Sequence, residues 1–390
     1  MLTPTNVSAR VQSVDALRGF AVMAILLVHN LEHFIFPVYP AESSQWLAAL
    51  DKIVYDVVFF LFAGKAYAIF ALLFGFTFYI QNRNQQERGC DFGGRFMWRL
   101  LLLACFACLN AAFFPAGDVL LLFSVVGGVL VVARNKSDKW ILIAAIVLLS
   151  QPIELFCYFA CLMFPDFHIP DFNVGDMYAE VASVTKSGDF KDFILCNLGL
   201  GQKASLLWAI EAGRFTQTAG LFLLGFLLGR KQVFVVSSCS MRFWTVGLWM
   251  SGVFFGALWL LHEYLFGIGC LEPRSLSVIL SMWQNLAFMF VLVSAFMLVY
   301  AYTGFNRHSK ALRAYGRMSL TNYISQSMIG ALIYFPFGLY LAPLCGYAMS
   351  LLVAVCVLVG QMLFSMWWLS NHRQGPLEFL WHKLTWVVLR

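Results

Sequence analysis

An all-α polytopic membrane protein, with about ten transmembrane helices in one bundle, is what this sequence predicts, and three observations carry the prediction. Hydrophobic residues make up 61% of the 390 positions and charged residues 12%, whereas soluble domains are about a quarter charged. Apolar runs long enough to cross about 30 Å of hydrocarbon recur along the whole chain, separated by short basic or Gly/Pro-marked breaks. The basic residues are also unevenly placed: 19 of 26 Lys and Arg fall in alternate breaks, and Lys52, Lys65, Lys186, Lys191, Lys203, Arg214 and Arg274 are the exceptions. That asymmetry marks the basic breaks as cytoplasmic.

Taken in order, the expected spans are 16–36, 53–80, 97–114, 118–133, 140–164, 214–229, 243–266, 276–303, 318–338 and 346–369. Gly64-Lys65 is a point at which the long second span can break. An even count puts both termini in the cytoplasm. Residues 1–390 read as one integral membrane domain, because no low-complexity linker or soluble domain interrupts the spans. The one sizeable extramembrane piece, 165–212, carries Asp166, Asp171, Asp176, Glu180, Asp189 and Asp192 and is expected to be an extracytoplasmic cap, or a lid over an entrance. The C-terminal segment 371–390, with Trp381, Trp386 and basic residues, reads as an amphipathic anchor on the cytoplasmic surface. The first apolar stretch is long and interrupted by Arg18 and His29, so it is expected to stay as a signal anchor.

The net charge of +6 is accounted for by this anchoring and calls for no nucleic acid. No P-loop, dinucleotide fingerprint or zinc-ligand set is legible. Cys105 and Cys108 have CxxC spacing but fall within an apolar helix, as do Cys157 and Cys161, so they are expected to be small buried core residues. Cys196, Cys270 and Cys345 fall on the outer side, too scattered to imply a disulfide.

The first span is the most informative element. Asp15, Arg18, His29, Glu32 and His33 recur on it, and at about 100° per residue Arg18 and His29 are nearly eclipsed, with the other three within roughly 60° of Arg18. Charge in hydrocarbon is costly, so such a stripe faces a cavity or partners. On the ninth span, Asn322 and Gln326 lie on one face with Tyr323 beside them, and this polar stripe is expected to face the first, either across a cavity or as interhelical glue. Asp118, at the start of the fourth span, reads as a helix cap or a substrate contact. Lys65, inside the second span, needs a partner on another helix, and Arg214 is expected to meet an acidic group of the 165–212 loop.

SVDALRGFAVMAILLVHN, GKAYAIFALLFGFTF, FFPAGDVLLLFSVVGGVL, GRMSLTNYISQS and RQGPLEFLWHKLT resemble, nearly end to end, the YeiB-like family of bacterial membrane proteins with the domain of unknown function 418. More remotely, the chain resembles transmembrane acyltransferases: the type 3 family, the glucan succinyltransferases and the lysosomal heparan glucosaminide acetyltransferase. In the type 3 family an Arg and a His separated by ten residues mark the acyl-transfer site, and Arg18 and His29 have that spacing. Much of the YeiB-like family instead has Asn at the position of His29.

The resemblance implies an inner-membrane acyltransferase that moves an acyl group from a cytoplasmic acyl-CoA to an envelope glycan or lipid. No permanently bound cofactor or metal is expected. His29 would act as base or acyl carrier, with Glu32 beside it. Arg18, paired with Asp15, would hold the CoA, while His33, Lys65, Asp118, Asn322, Tyr323 and Gln326 would line the cavity. Membrane lipid is the expected surrounding, and a homodimer is compatible with the sequence. The alternatives are a transporter or exporter that uses the stripe as a relay, and a noncatalytic membrane partner.

Overall fold

The computed structural model describes residues 11–32, 34, 39–40, 44–164, 166–269, 274–302 and 304–387. His33 and Cys270 lie outside the described residues. Among the described residues the chain is helical without a strand: α1 Gln12–Glu32, α2 Gln45–Phe62, α3 Lys65–Gln86, α4 Gly93–Ala111, α5 Leu120–Val126, α6 Gly128–Ala133, α7 Asp138–Leu149, α8 Pro152–Met163, α9 Val174–Ser187, α10 Phe190–Cys196, a π turn Asn197–Gly201, α11 Gln202–Glu211, α12 Arg214–Arg230, α13 Ser238–Gly267, α14 Arg274–Tyr302, α15 Phe305–His308, α16 Lys310–Arg317, α17 Ser319–Tyr334, α18 Tyr347–Asn371 and α19 Pro376–Val387.

Seven helical stretches are long and apolar enough to cross a membrane, or eight if α7 and α8, bent by 46° at their junction, count as one crossing. A multi-pass membrane protein is the class this supports. The breaks have local causes. Between α2 and α3, Gly64 takes φ +75°, a left-handed conformation that costs glycine nothing. Between α7 and α8, Gln151 is left-handed at φ 61°, and Pro152 opens the next helix at a position where its missing N–H is no loss.

The core is organised round α1 and α3. α1 is buried along most of its length, whereas α13 and α18 expose most of theirs, as lipid-facing helices do. Two glycine pairs set the closest approaches. Gly75 of α3 lies against the backbone of Phe222 on α12, and Gly225 lies against Leu72; likewise Gly19 of α1 and Gly316 of α16 leave no room for a Cβ on either side. Such contacts between small residues let backbones close in where the hydrophobic effect gives little help. Phe123 of α5 packs against Tyr67, Phe70, Phe74 and Phe222 with ring centroids 5.1–5.9 Å apart, filling the middle of the bundle.

One expectation is corrected here. Cys105 and Cys108 are exposed on the flank of α4, and Cys157 and Cys161 are partly so. As small apolar side chains they suit the outside of a bundle meeting hydrocarbon as well as its inside. In the C-terminal segment, α19 packs against α4. Trp381 Nε1 donates to the Arg99 carbonyl at 3.2 Å and Trp98 Nε1 to the Leu384 carbonyl at 3.2 Å.

Candidate functional site

Arg18 is placed by α1 on a side facing α3, where its guanidinium donates to Asp15 at 3.3 Å and to Thr77 Oγ1 at 2.9 Å. Around it opens a cavity of about 260 Å³ that also receives Arg99, Arg317, Arg373 and His382. These four guanidiniums come from α1, α4, α16 and the loop before α19. Arg99 lies over the Trp381 ring at 4.1 Å and donates to Thr385 at 3.3 Å, and Arg317 donates to the Arg373 carbonyl at 3.0 Å.

The acid of this cavity, Glu378, is committed to structure. Its carboxylate accepts from the backbone N–H of Leu320 at 2.7 Å, that of Thr321 at 3.1 Å and the Thr321 hydroxyl at 2.5 Å, capping α17 from another helix. Burial nonetheless pushes the Glu378 carboxyl above its ordinary value, and burial together with Arg99 pushes the His382 imidazole down. The segments GRMSLTNYISQS and RQGPLEFLW, some fifty residues apart in the chain, thus meet in one seam that forms a wall of the cavity. Four guanidiniums round one hollow suit a ligand rich in phosphate.

At the other end of α1, His29 and Glu32 open on a second cavity of about 430 Å³, with Asp118 before α5, Tyr67 of α3, Tyr178 and Ser205 of the 174–211 helices, and Arg214 of α12. The His29 ring is buried, 4.3 Å from the Phe114 centroid and edge-on to Tyr323 at 5.9 Å. Asp118 accepts from Asn110 Nδ2 at 2.8 Å and from the Leu121 N–H at 3.0 Å, so it caps the start of α5 as expected, and it also lines the cavity. Burial, with Glu32 and Glu211 adding to it, pushes the Tyr178 phenol above its ordinary value, which keeps it a donor.

The two cavities share helices and turn their backs on each other. α3 gives Thr77 and Gln81 to the first and Ala66 and Tyr67 to the second; α5 gives Leu120 and Phe123 to the first and Leu122 to the second. Between them stands an aromatic wall of Tyr323, Phe123 and Phe70. Tyr323 lines the first cavity while its ring touches His29. One end of the bundle is therefore basic, and the other is covered by the 174–211 helices.

The structure brings His29, Glu32 and Asp118 together, and places Arg18, with Asp15 behind it, and Tyr323 at the other cavity. Three expected lining residues line neither. Lys65 points across to α14, its ammonium 5.9 and 5.8 Å from the Phe60 and Phe288 rings, so the expected partner on another helix is aromatic. Asn322 turns to α18, donating to Ser365 Oγ at 3.1 Å and to the Tyr315 carbonyl at 2.9 Å; it is interhelical glue. Gln326 is buried with neither amide atom hydrogen-bonded among the described residues. Helical periodicity put these residues on one face correctly, but it does not say which neighbour that face meets.

His33 lies outside the described residues. Arg214 is also corrected: it meets no acidic group of the loop among the described residues, and instead donates to Gln217 at 3.0 Å between the rings of Tyr67 and Trp208. Arg99, Arg317 and Arg373 were legible only as charges anchoring cytoplasmic breaks; the Arg95–Arg99 and Arg313–Arg317 spacings, one helical turn each, are the available hint that they share faces.

Comparison with known proteins gives the same picture of kinship. Residues 228–388 match the family model described as protein of unknown function (DUF418). The chain is 27% identical to uncharacterized protein YxaH of Bacillus subtilis (strain 168), covering 99% of this chain and 96% of that one. It is 25% identical to the uncharacterized 39.9 kDa protein in the amylase 3' region of Bacillus acidopullulyticus, over 98% and 96% of the two chains. With uncharacterized protein YeiB of Escherichia coli (strain K12) it shares 24% identity over 96% and 95%. No solved structure matches the chain. The motif-based expectation is borne out: the chain carries a DUF418 segment and is similar to YeiB-like proteins along nearly its whole length.

Proposed function

We propose that this protein is an acyltransferase of the bacterial inner membrane, taking an acyl group from cytoplasmic acyl-CoA at the basic-end cavity and passing it to an envelope glycan or lipid at the cap end. The observation that carries the reading is the pairing of an arginine-ringed cavity with a histidine cavity along one helix. Arg18, Arg99, Arg317 and Arg373 would grip the phosphates of CoA. Arg18 and His29 are separated by about 16 Å of helix rise, and a thioester on a long flexible arm can cover that span past Tyr323.

His29 then takes the proton of the acceptor hydroxyl or amine as that group attacks the thioester carbonyl. The carbon–sulfur bond breaks, and the proton passes to the leaving thiolate, giving free CoA and the acylated acceptor. Glu32, in the same cavity, favours the protonated imidazole between the two events.

The orientation belongs to this proposal. Six of the seven long apolar stretches, the bent α7–α8 pair and three shorter helices, Leu120–Ala133, α12 and α17, make ten crossings, with 190–211 assigned to the cap. The shorter helices rise less than the hydrocarbon thickness, about 25 Å for α12's 17 residues; being buried by neighbours, they do not have to match it. Ten crossings, with the basic breaks inside, put both termini in the cytoplasm.

The test is to incubate purified protein in nanodiscs with radiolabelled acetyl-CoA and an envelope lipid extract. Release of CoA with label on an extract component is the expected result. A second reading, transport, is favoured by the aromatic wall between two oppositely facing cavities. Label that crosses a sealed liposome with no covalent change would support transport and overturn acyl transfer.

A further inference from the structure

The cap-end cavity holds one feature that acyl-group chemistry does not use. Arg214 opens α12 at the cavity wall, clamped by π-contacts with Tyr67 at 4.7 Å and Trp208 at 5.5 Å. Tyr67 is itself fixed by a hydroxyl–hydroxyl bond to Thr218. One guanidinium nitrogen, Nη1, donates to Gln217, and Nε has no hydrogen-bond partner among the described residues. No carboxylate of the described residues lies within ion-pair distance of it, in contrast to Arg274 nearby, which pairs with Glu211 at 3.2 Å.

A guanidinium held against two rings keeps its unused N–H groups as donors for an oxyanion. Glu32 acts on this charge across the cavity without an ion-pair contact, and a charge so placed in a membrane bundle is costly to keep. The rest of the wall supplies what a phosphate with several oxygens would use. The Tyr178 phenol keeps its proton, and Ser205 stands beside Asp118, bonded to its carbonyl at 3.1 Å. Ile25, Val28, Phe62, Leu122 and Leu206 make the remainder apolar. The other charged and titratable groups of the cavity are His29, Glu32 and Asp118. The two carboxylates repel a ligand that is anionic throughout, so the chemistry favoured is a single phosphate at Arg214 and an uncharged or cationic group turned towards Glu32 and His29.

We propose that Arg214 is an anion receptor for a phosphate-bearing, partly apolar ligand in the cap-end cavity. The binding claim stands by itself; that this ligand is the acyl acceptor rests on the acyl-transfer reading. The phosphate can belong to a phospholipid headgroup or to a soluble phosphate ester.

The experiment uses the full chain in phosphatidylcholine nanodiscs with two probes: soluble glycerol phosphate, and phosphatidylglycerol doped into the disc. Bound probe is counted by native mass spectrometry. Wild type should retain one of the two, and the probe retained identifies the source. Arg214→Gln should weaken retention at least about tenfold, Arg214→Lys should fall between, and Arg274→Gln should match wild type.

As a readout that needs no change at Arg214, the Ser205→Cys variant is labelled with a maleimide, and the retained probe should slow that labelling. Retention of neither probe, equal retention by folded Arg214→Gln, or unslowed labelling overturns the proposal. Loss of retention in Arg18→Ala instead would assign the probe to the basic end and overturn it as well. CoA release that fails while probe binding holds removes the acyl-transfer reading and leaves the receptor intact.

Discussion

The two cavities of this bundle are built on opposite principles. At the basic end, guanidiniums from four distant parts of the chain gather round one hollow: Arg18 on Asp15 and Thr77, Arg99 on Trp381 and Thr385, Arg317 on the carbonyl of Arg373, and Arg373 itself. At the cap end the polar groups are an imidazole, two carboxylates, phenols and a single guanidinium. Fixed cations bind and do not exchange protons at physiological pH; imidazole and carboxylate do. On the acyl-transfer reading, the contrast puts holding at one end and proton traffic at the other, and it makes the two ends separable by mutation.

The largest effect should come from testing that separation directly. His29→Ala is expected to lower turnover at least about a hundredfold with the thermal transition and CoA binding unchanged. Arg18→Ala is expected to raise the KM for acyl-CoA first, with a smaller loss in kcat. Steady-state kinetics on both variants checks this. If Arg18→Ala lowers kcat alone while His29→Ala raises KM alone, the assignment of the ends is reversed. Full activity in His29→Asn excludes imidazole chemistry at this position.

Next in size is the seam that builds the basic end. Glu378→Ala removes three acceptor contacts from the start of α17 and should cost roughly 1–3 kcal/mol, read as a lower thermal midpoint. CoA binding should weaken with it, while glycerol phosphate binding at the cap end should not. The pH dependence has a definite sign. Because burial raises the folded carboxyl above its ordinary 4.5, the protonated form is the one that folding favours. Stability from this group is full below 4.5 and declines as pH rises through the raised folded value. Glu378→Gln should flatten that decline.

The contrast between the ends also explains what the sequence could disclose. That His29 and Glu32 share the cap-end cavity was legible because they sit on one helix, where a period of 3.6 residues converts spacing into geometry. The break at Gly64 was legible for the same local reason. The basic end was not: Arg99, Arg317 and Arg373 lie at the ends of different helices, where Lys and Arg also serve as cytoplasmic anchors, and only packing gathers them. Arg214 was misassigned because the acids of 165–212 are close in sequence, while the stacking rings of Tyr67 and Trp208 decide its place. The π turn at Asn197–Gly201 left no periodic signature to read.

A smaller effect separates the two polar residues of α17 that line neither cavity. Asn322 is bonded to α18 and to the Tyr315 carbonyl, so Asn322→Ala should cost about 1–2 kcal/mol of stability and leave KM and kcat unchanged in the remaining folded protein.

Gln326 should respond in the opposite direction, and least in size. It is buried, with neither its amide nitrogen nor its oxygen hydrogen-bonded among the described residues, one turn beyond the Tyr323 that stands between the cavities. A buried amide with no partner is a desolvation cost without return, so Gln326→Met, close in volume, should be neutral or should raise stability by up to about 1 kcal/mol. Thermal scans on the two variants in matched nanodiscs measure the difference. The informative quantity is activity alongside stability. A more stable Gln326→Met with unchanged turnover makes the residue a packing misfit, and the division into two ends stands. A more stable variant with reduced turnover means that the amide is kept at a cost because it acts when substrate is present, as residues that break local rules at working sites do. The aromatic wall would then contain a polar step linking the two cavities.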